Sequence, residues 1–554
     1  MGAAAAARFY PFPQSKRVAK RRQQPTRTLP PWQAKAWEWR WPIAVGAVLV
    51  LAAALRFYRL GAASVWLDEA YSIDWASRDY AFMLDIARTR DFHPPEYYML
   101  LHNWMLVFGR SEAAVRALSA VAGVAAVGGL YLLGRDLFSR RAGLAAAVLL
   151  SVSDFALYYS QEARSYSLLL ALAIFSMHAY WRLYERRTRG ALVYYILVTA
   201  ALAYVHNSGL FVIVAQGLHR LVAFAAAPRQ GWLAAQKDDL VRWGVAFGGV
   251  GLLYLPWLGG LLGQFSRLND GYWMPKPAFD TGTVGADFTV VGTFAHFTGV
   301  ALAAWLLWIL LANGVARTRA GGLNRERNPD DTDRRAYPAA KVLLLVAWLL
   351  CSVFIPFIEA NVAQPAFISR ALIPALAPFL LLAAAGVGRL KAVPLQVAVV
   401  AVLVALATPA LATYYKAPGK EPWREATAYV ESNTHGNGTV VINGWNVFLA
   451  YDYYSRHTVP VTRIGGTSDP ELADAANATR GREHAWLMLS HPGGDSGKLL
   501  QAMDAAFRST APGAAQPQCQ MFAAQGAGLA NNPIFVFHWG PAVPTAPERA
   551  CPTN

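Results

Sequence analysis

The sequence predicts an α-helical polytopic membrane protein of about eleven transmembrane helices, followed by a C-terminal α/β domain outside the membrane. Three observations predict it. Of 554 residues, 55% are hydrophobic and only 15% charged, whereas a soluble chain carries about 25% charged residues. Apolar runs of crossing length recur from Trp41 to Thr413 and then stop. The strongly basic segments occupy alternate gaps between these runs, so that one orientation puts all of them on one side. The net charge of +16 is therefore a matter of topology, and no nucleic-acid partner is expected.

Residues 1–40 are polar and basic, with Lys16, Arg17, Lys20, Arg21, Arg22 and Arg27, and read as a disordered cytoplasmic tail. The run Trp41–Tyr58 lacks a small-residue cleavage site and reads as a signal anchor. Further runs are Ala117–Leu133, Ala142–Tyr159, Tyr166–Tyr180, Ala191–Val205, Gly209–Val222, Trp243–Leu262, Val290–Val315, Val342–Ile358, Ala371–Gly388 and Val393–Thr413. Some are shorter than the ~20 residues of a perpendicular crossing. With an inner N-terminus, the inner loops hold Arg135, Arg140 and Arg141; Arg182, Arg186, Arg187 and Arg189; Arg220, Arg229 and Lys237; Arg317 through Arg335; and Arg389 with Lys391. The outer side receives Ser64–Arg116, Ser160–Ser165, His206–Ser208, Gln264–Thr289, Glu359–Arg370 and everything after Tyr414. This sets a membrane domain at 41–415 and an extracytoplasmic domain at 416–554, in a plasma (inner) membrane with a cytoplasmic N-terminus.

Within the first outer loop, Tyr97, Leu100, Leu101, Trp104, Met105 and Phe108 recur at helical spacing after Pro94 and Pro95, which predicts a helix lying in the interface. Beyond Pro422, strand-length patches at Thr439–Ile442, Trp486–Leu489 and Ile534–Phe537 are interrupted by helix-like intervals at Arg424–Glu431 and Pro470–Ala476. Three cysteines are too few for a disulfide framework. Cys351 lies in an apolar run; Cys519 and Cys551 share the outer domain and are expected to pair.

Candidate functional residues are charges at membrane level on the outer side. Asp68 and Glu69 follow the first span directly, flanked by Trp66, Leu67, Tyr71 and Trp75, amphipathic aromatics that settle at a bilayer surface. Glu162 and Arg164 occupy a short turn, where an ion pair capping two helix ends is the competing explanation. His206 sits in another tight turn, as a helix-end hydrogen bonder or a ligand. Arg370 stands at the outer mouth of a span containing Pro374 and Pro378, either snorkelling or free to take an anion. Arg267, Asp270, Tyr272, Trp273 and Lys276 lie in an outer loop that is either a lid or an ordinary surface loop. Such groups suit transfer from a phosphate-linked donor: a carboxylate takes the acceptor proton, arginines stabilise the departing phosphate, and a second carboxylate or a histidine holds the sugar. The pair Asp331 and Asp333 has metal-site spacing but lies in the mixed charge run Asn324–Arg335 and reads as solvated loop. The histidines and cysteines lack ligand spacing, so no cofactor is expected, with a divalent metal left open.

In order along successive outer loops stand W-L-D-E-A-Y-S, H-P-P-E-Y-Y, Y-S-Q-E-A-R-S-Y, V-H-N and S-R-A-L-I-P-A-L. Over roughly residues 42–415 this series resembles the GT-C glycosyltransferases, with ArnT-like and protein O-mannosyltransferase-like relatives. The resemblance implies a membrane enzyme that transfers a sugar, with inversion, from a polyprenyl-phosphate carrier to a protein, lipid or glycan acceptor on the outer face. It implies Asp68 as catalytic base with Glu69 beside it, Glu162 and Arg164 as active-site residues, Arg370 as a ligand of the lipid phosphate, and His93 as the shaper of its loop. Relatives commonly carry an apolar residue where this chain has Glu96, and an aromatic where it has Asn207. A lipid-linked-sugar flippase or transporter is the alternative, since charged groups near proline-broken spans also mark substrate pathways. A scaffold with a partner-binding outer domain is a third reading, disfavoured by the clustered outer charges.

Reporter fusions after Tyr415 and within Arg317–Arg335 are expected to give opposite inside and outside signals; equal signals end this topology.

Overall fold

The computed structural model describes residues 31–225, 232–268, 274–280, 284, 286–297, 339–363, 367–390, 392–444, 446–523, 532–544 and 551. The basic tail up to residue 30, Arg229, Asp270, Tyr272, Trp273, the segment Arg317–Arg335 with Asp331 and Asp333, and Lys391 lie outside the described residues. Val45–Asn554 form one large unit, and residues up to Ala44 a small one that contains the start of the helix Pro31–Phe57.

Each of the eleven apolar runs falls on helix, the eighth only as far as Phe297 among the described residues. Among the described residues six helices are long and apolar enough to cross a membrane, or seven if one bent pair counts as a single span, so the chain is a multi-pass membrane protein whose expected eleven crossings are only partly matched there. The shortfall has local causes. The helices Arg189–Val205 and Gly209–Ala225 are short, and Tyr166–Arg186 carries polar groups that bond within the bundle. Its Ser176 hydroxyl is 2.8 Å from that of Thr199, and Gln216 donates to Ser176 (2.9 Å) while accepting from Tyr195 (2.8 Å). Interhelical hydrogen bonds of this kind join helices where lipid offers no partner.

The bent pair is Arg140–Val152 with Asp154–Ser160, inclined by 63°. Ser153 at the break caps the second helix through its hydroxyl. The bend frees carbonyls, and buried Arg56 meets them, donating to Leu150 O (3.2 Å) and Ser151 O (3.3 Å) and also to the Ser160 hydroxyl (3.2 Å). A break at membrane depth persists only when freed backbone groups are satisfied in this way. In the first helix of this pair, Gly143 lies against Gly134 and the Tyr131 carbonyl so closely that a methyl group at either glycine would collide with backbone.

The helix predicted after Pro94 and Pro95 is present as Glu96–Phe108; it buries Tyr97, Tyr98, Leu101 and Met105 and leaves Leu106, Val107 and Phe108 exposed. After the helix Val393–Lys416 comes a five-stranded sheet of β1 (Gly438–Asn443), β2 (Val461–Ile464), β3 (His484–Leu489), β4 (Gln518–Phe522) and β5 (Ile534–Trp539), in the order β2-β1-β3-β5-β4. β1 is parallel to both neighbours, with Val440 opposite Val461 and Trp486; β5 and β4 close the sheet antiparallel. The expected strands are β1, β3 and β5, whose fully or alternately buried patterns made them visible; β2 and β4 are half exposed. The helices Trp423–Ser432 and Asp469–Thr479 match the expected intervals, while Phe448–Tyr454 and Ser496–Thr510 were not anticipated. Cys519 and Cys551 form a disulfide, as expected, and Cys351 is free and buried.

Candidate active site

Asp68 and Glu69 occupy the first turn of the helix Leu67–Trp75, where the helix dipole favours carboxylates. Being adjacent on a helix, they point in different directions and meet different partners. Glu69 is fully buried. Arg116 grips it with Nε on Oε1 (2.7 Å) and Nη2 on Oε2 (2.6 Å), the Ala163 amide donates to Oε1 (2.9 Å), and Lys420 Nζ stands 3.2 Å away. The remaining guanidinium hydrogens of Arg116 go to the carbonyls of Leu60, Ala63 and Ser64. Burial alone would raise the Glu69 pKa; Arg116 and Lys420 outweigh it and hold the group at about 2.

Asp68 is partly open, its side chain 20% exposed. Arg370 Nη1 donates to its Oδ2 at 2.9 Å, and Arg164 reaches its backbone carbonyl (3.5 Å) and the Ser72 hydroxyl (3.3 Å). Desolvation pushes Asp68 up, but Arg370 first, then Arg164 and His93, hold it below the usual carboxylate range. The Tyr166 ring lies between the two arginines, 5.7 Å from the Arg370 guanidinium and 6.0 Å from that of Arg164. His206 stands 5.7 Å from Tyr166 and 4.9 Å from His93, ring to ring. Buried and surrounded by cations and His93, it is kept well below the usual histidine pKa; its Nδ1 accepts from the Ser208 amide, and its Nε2 has no partner.

Glu162 is buried, accepts from Trp66 Nε1 at 3.1 Å through Oε1, and leaves Oε2 without a partner. Burial raises its pKa, reinforced by Glu69 and Asp68 and opposed by Lys420 and Arg370. Asp68, His93, Glu162, Arg164, His206 and Arg370, taken from four of the segments expected on the outer side, thus converge on one polar cluster. Lys276 does not join it: the side chain is exposed and makes no hydrogen bond or ion pair with these groups.

Three contributors, Asp91, Gln264 and Asp287, were not read from the sequence. Asp91 accepts from Tyr98 (2.7 Å) and lies 3.1 Å from His93 Nδ1, orienting that ring; its place two residues before His93 was the available signal. Gln264 donates to Ala87 O and His93 O and accepts from Asn207, tying the His-Pro-Pro loop to the long helix Trp232–Leu268. Arg267 bonds the Asp91 carbonyl instead of closing over a ligand. Asp287 accepts from Ser369 (2.6 Å) beside Arg370 and pairs with His296. Among the described residues no group of three or more metal-ligating side chains is assembled.

Comparison with known proteins bears on this arrangement. A family model described as dolichyl-phosphate-mannose-protein mannosyltransferase matches residues 92–248. The structure is similar to that of ArnT from Cupriavidus metallidurans, at 12% identity and a TM-score of 0.54 in the apo state, covering 91% of this chain and 98% of that one. The same enzyme bound to undecaprenyl phosphate gives a TM-score of 0.52 at 12% identity and the same coverage of both chains. The Archaeoglobus fulgidus oligosaccharyltransferase gives 0.50 at 15% identity over 76% of this chain; the match spans 64% of that protein's length. No curated protein sequence matches at a significant level.

Arg116→Met is expected to cost about 3–5 kcal/mol, because it strands Glu69 as a buried charge. A melting temperature in detergent within a degree or two of wild type would show that the pair is dispensable.

Proposed function

Because the chain has the fold of the GT-C superfamily of glycosyltransferases, we propose that it is a membrane glycosyltransferase moving a hexosyl or pentosyl unit from a polyprenyl-phosphate donor to a protein, lipid or glycan acceptor on the outer face of the plasma membrane. The observation that carries this reading is the contact between Asp68 and Arg370 at 2.9 Å, inside a cluster of two arginines, two histidines and a second carboxylate. A carboxylate held ionised next to cations with unfilled capacity provides a base and an anion site side by side.

In the proposed reaction the acceptor hydroxyl gives its proton to Asp68 while its oxygen attacks the anomeric carbon, and the bond from that carbon to the phosphate oxygen breaks with inversion. Negative charge grows on the departing lipid phosphate, where Arg370 and Arg164 stabilise it. The donor also tunes the base. In the free enzyme Arg370 depresses the Asp68 pKa; a phosphodiester drawing on the same guanidinium relaxes that grip and makes the carboxylate a better proton acceptor. Glu162, with one unpartnered oxygen, is assigned to a sugar hydroxyl. His93 and His206 stand as one edge-to-face pair, with the His93 charge acting on Asp68. Glu69 is assigned a structural role, since both oxygens are taken by Arg116, Lys420 and Ala163. Lys276 is given no role.

Asp68→Asn is expected to fold, bind donor and lose transfer by at least ~100-fold, the usual size of a general-base contribution. Transfer retained at wild-type level sinks the assignment, and lipid movement without any glycosylated product favours a transporter.

The acid limb of kcat/KM reports Asp68 in the free enzyme. Because its pKa is lowered by Arg370, the limb is expected below the ordinary aspartate range, and Arg370→Gln is expected to move it to higher pH. An unmoved limb in that variant shows that another group controls it.

A further inference from the structure

The chain crosses from membrane bundle to sheet at Pro418–Trp423, and there Glu421 is fully buried. Its Oε2 accepts from Trp423 Nε1 at 2.7 Å, and the backbone amide of Leu67, the residue before Asp68, also bonds it. Its Oε1 lies 3.4 Å from His491 Nδ1, and the Asn532 side chain also bonds the carboxyl. Burial raises this carboxyl to about 8, the negative charge of Asp68 adding to the effect, so it is largely uncharged at neutral pH.

His491 is the second residue after β3. Its backbone is left-handed at φ 48°, its Nε2 is 2.8 Å from Asn532, and the Asp68 charge acts on its ring. The loop after β1 meets it. A methyl group on Gly444 would collide with the Ser490 carbonyl, and Asn446, left-handed at φ 56°, bonds the Tyr71 hydroxyl. At the end of β1, Asn443 is buried with Oδ1 unpartnered. Two non-glycine residues in left-handed backbone, the uncommitted Asn443 Oδ1 and the Glu421 carboxyl facing His491 gather strain and polar capacity at one place, as functional sites do. The place is also the one topology favours. β2 lies on one side of β1 and β3 on the other, so the chain leaves the carboxyl ends of β1 and β3 in opposite directions, opening a crevice at that switch point.

We infer that the crevice between the carboxyl ends of β1 and β3, closed below by Glu421, is the acceptor subsite of the Asp68 centre and takes a neutral, hydroxyl-rich acceptor, a carbohydrate, through Asn446, His491 and Glu421. The inference rests on the glycosyl-transfer reading. The lining groups are an amide, an imidazole, an uncharged carboxyl and the Tyr71 phenol, all able to donate and accept, which matches vicinal hydroxyls. An anionic acceptor would find only Asp68 and two titratable neutral groups on this wall. An extended peptide would need a strand edge, and β1 and β3 are both interior strands.

The test reconstitutes the full chain in liposomes with a polyprenyl-phosphate hexose and offers p-nitrophenyl glucoside, galactoside and mannoside, or a Ser/Thr-rich octapeptide. The readout is sugar transferred to the probe relative to sugar released to water. His491→Ala and Asn446→Ala are each expected to lower that ratio for a glycoside about tenfold, and Glu421→Gln, which keeps an uncharged hydrogen-bonding group, to lower it less than Glu421→Ala. Unchanged ratios in both His491→Ala and Asn446→Ala overturn the inference while leaving the transfer reading standing, as does transfer to the octapeptide alone. A wild-type chain that consumes no donor overturns both.

Discussion

The Glu69–Arg116 pair is the constraint on which the rest of the site depends. Two fully buried ions face each other through two short hydrogen bonds, and every other polar atom on them is spent on backbone or on Lys420. A desolvated pair gains little net energy over an apolar one, but it tolerates only one geometry. Here that geometry joins the first outer loop at Leu60–Ser64, the helix Glu112–Leu137, the turn at Ala163 and the strap at Lys420. Those four segments carry or adjoin Asp68, Arg164 and Glu421. The pair therefore sets where the open carboxylate stands relative to its cations.

Placing two adjacent carboxylates in one helical turn separates them chemically because side chains one residue apart diverge by about 100°. Glu69 goes inward to a matched cation and is held ionised at no functional cost. Asp68 goes outward, where its cations are shared with open space. The third carboxylate, Glu162, is buried with an opposite charge only at longer range, so its proton is retained more readily. Three acids within one small volume thus present three protonation tendencies, and such divergence is how neighbouring carboxyls take up distinct roles.

The helices were legible in the sequence because apolar runs and basic loops are strong, redundant signals, and so were Asp68, Glu162, Arg164 and Arg370, charges where charge is expensive. The number of crossings was less legible: Ser176, Thr199 and Gln216 lower the apolarity of helices that pack against one another, and the 63° break at Ser153 has no glycine or proline to announce it. The assignment of Glu69 by proximity to Asp68 failed to foresee Arg116, since the partner lies 47 residues away and inside a span. Glu421 and His491 were invisible for a different reason. Glu421 reads as one of the ordinary charges of Lys420–Glu425 and His491 stands without a charged neighbour, and each gains its surroundings only when the sheet docks on the loop that carries Asp68.

That docking gives the outer domain a physical reason to be where it is. Arg424 bonds Glu112 and the carbonyls of Gly61, Ala62 and Ala63, Tyr454 accepts from the Val65 amide, and Ser64 donates to Glu425. Apart from that to Glu112, these contacts fall on the stretch of chain that leads into Asp68, which lacks regular structure and could not hold its own backbone polar groups satisfied. The domain is thus part of the wall that fixes Asp68. The proposed transfer needs a lipid-borne phosphate and a water-borne hydroxyl brought to one carboxylate, and a site built partly from the sheet domain and partly from the apolar helix that begins at Ser369 joins two such kinds of surface.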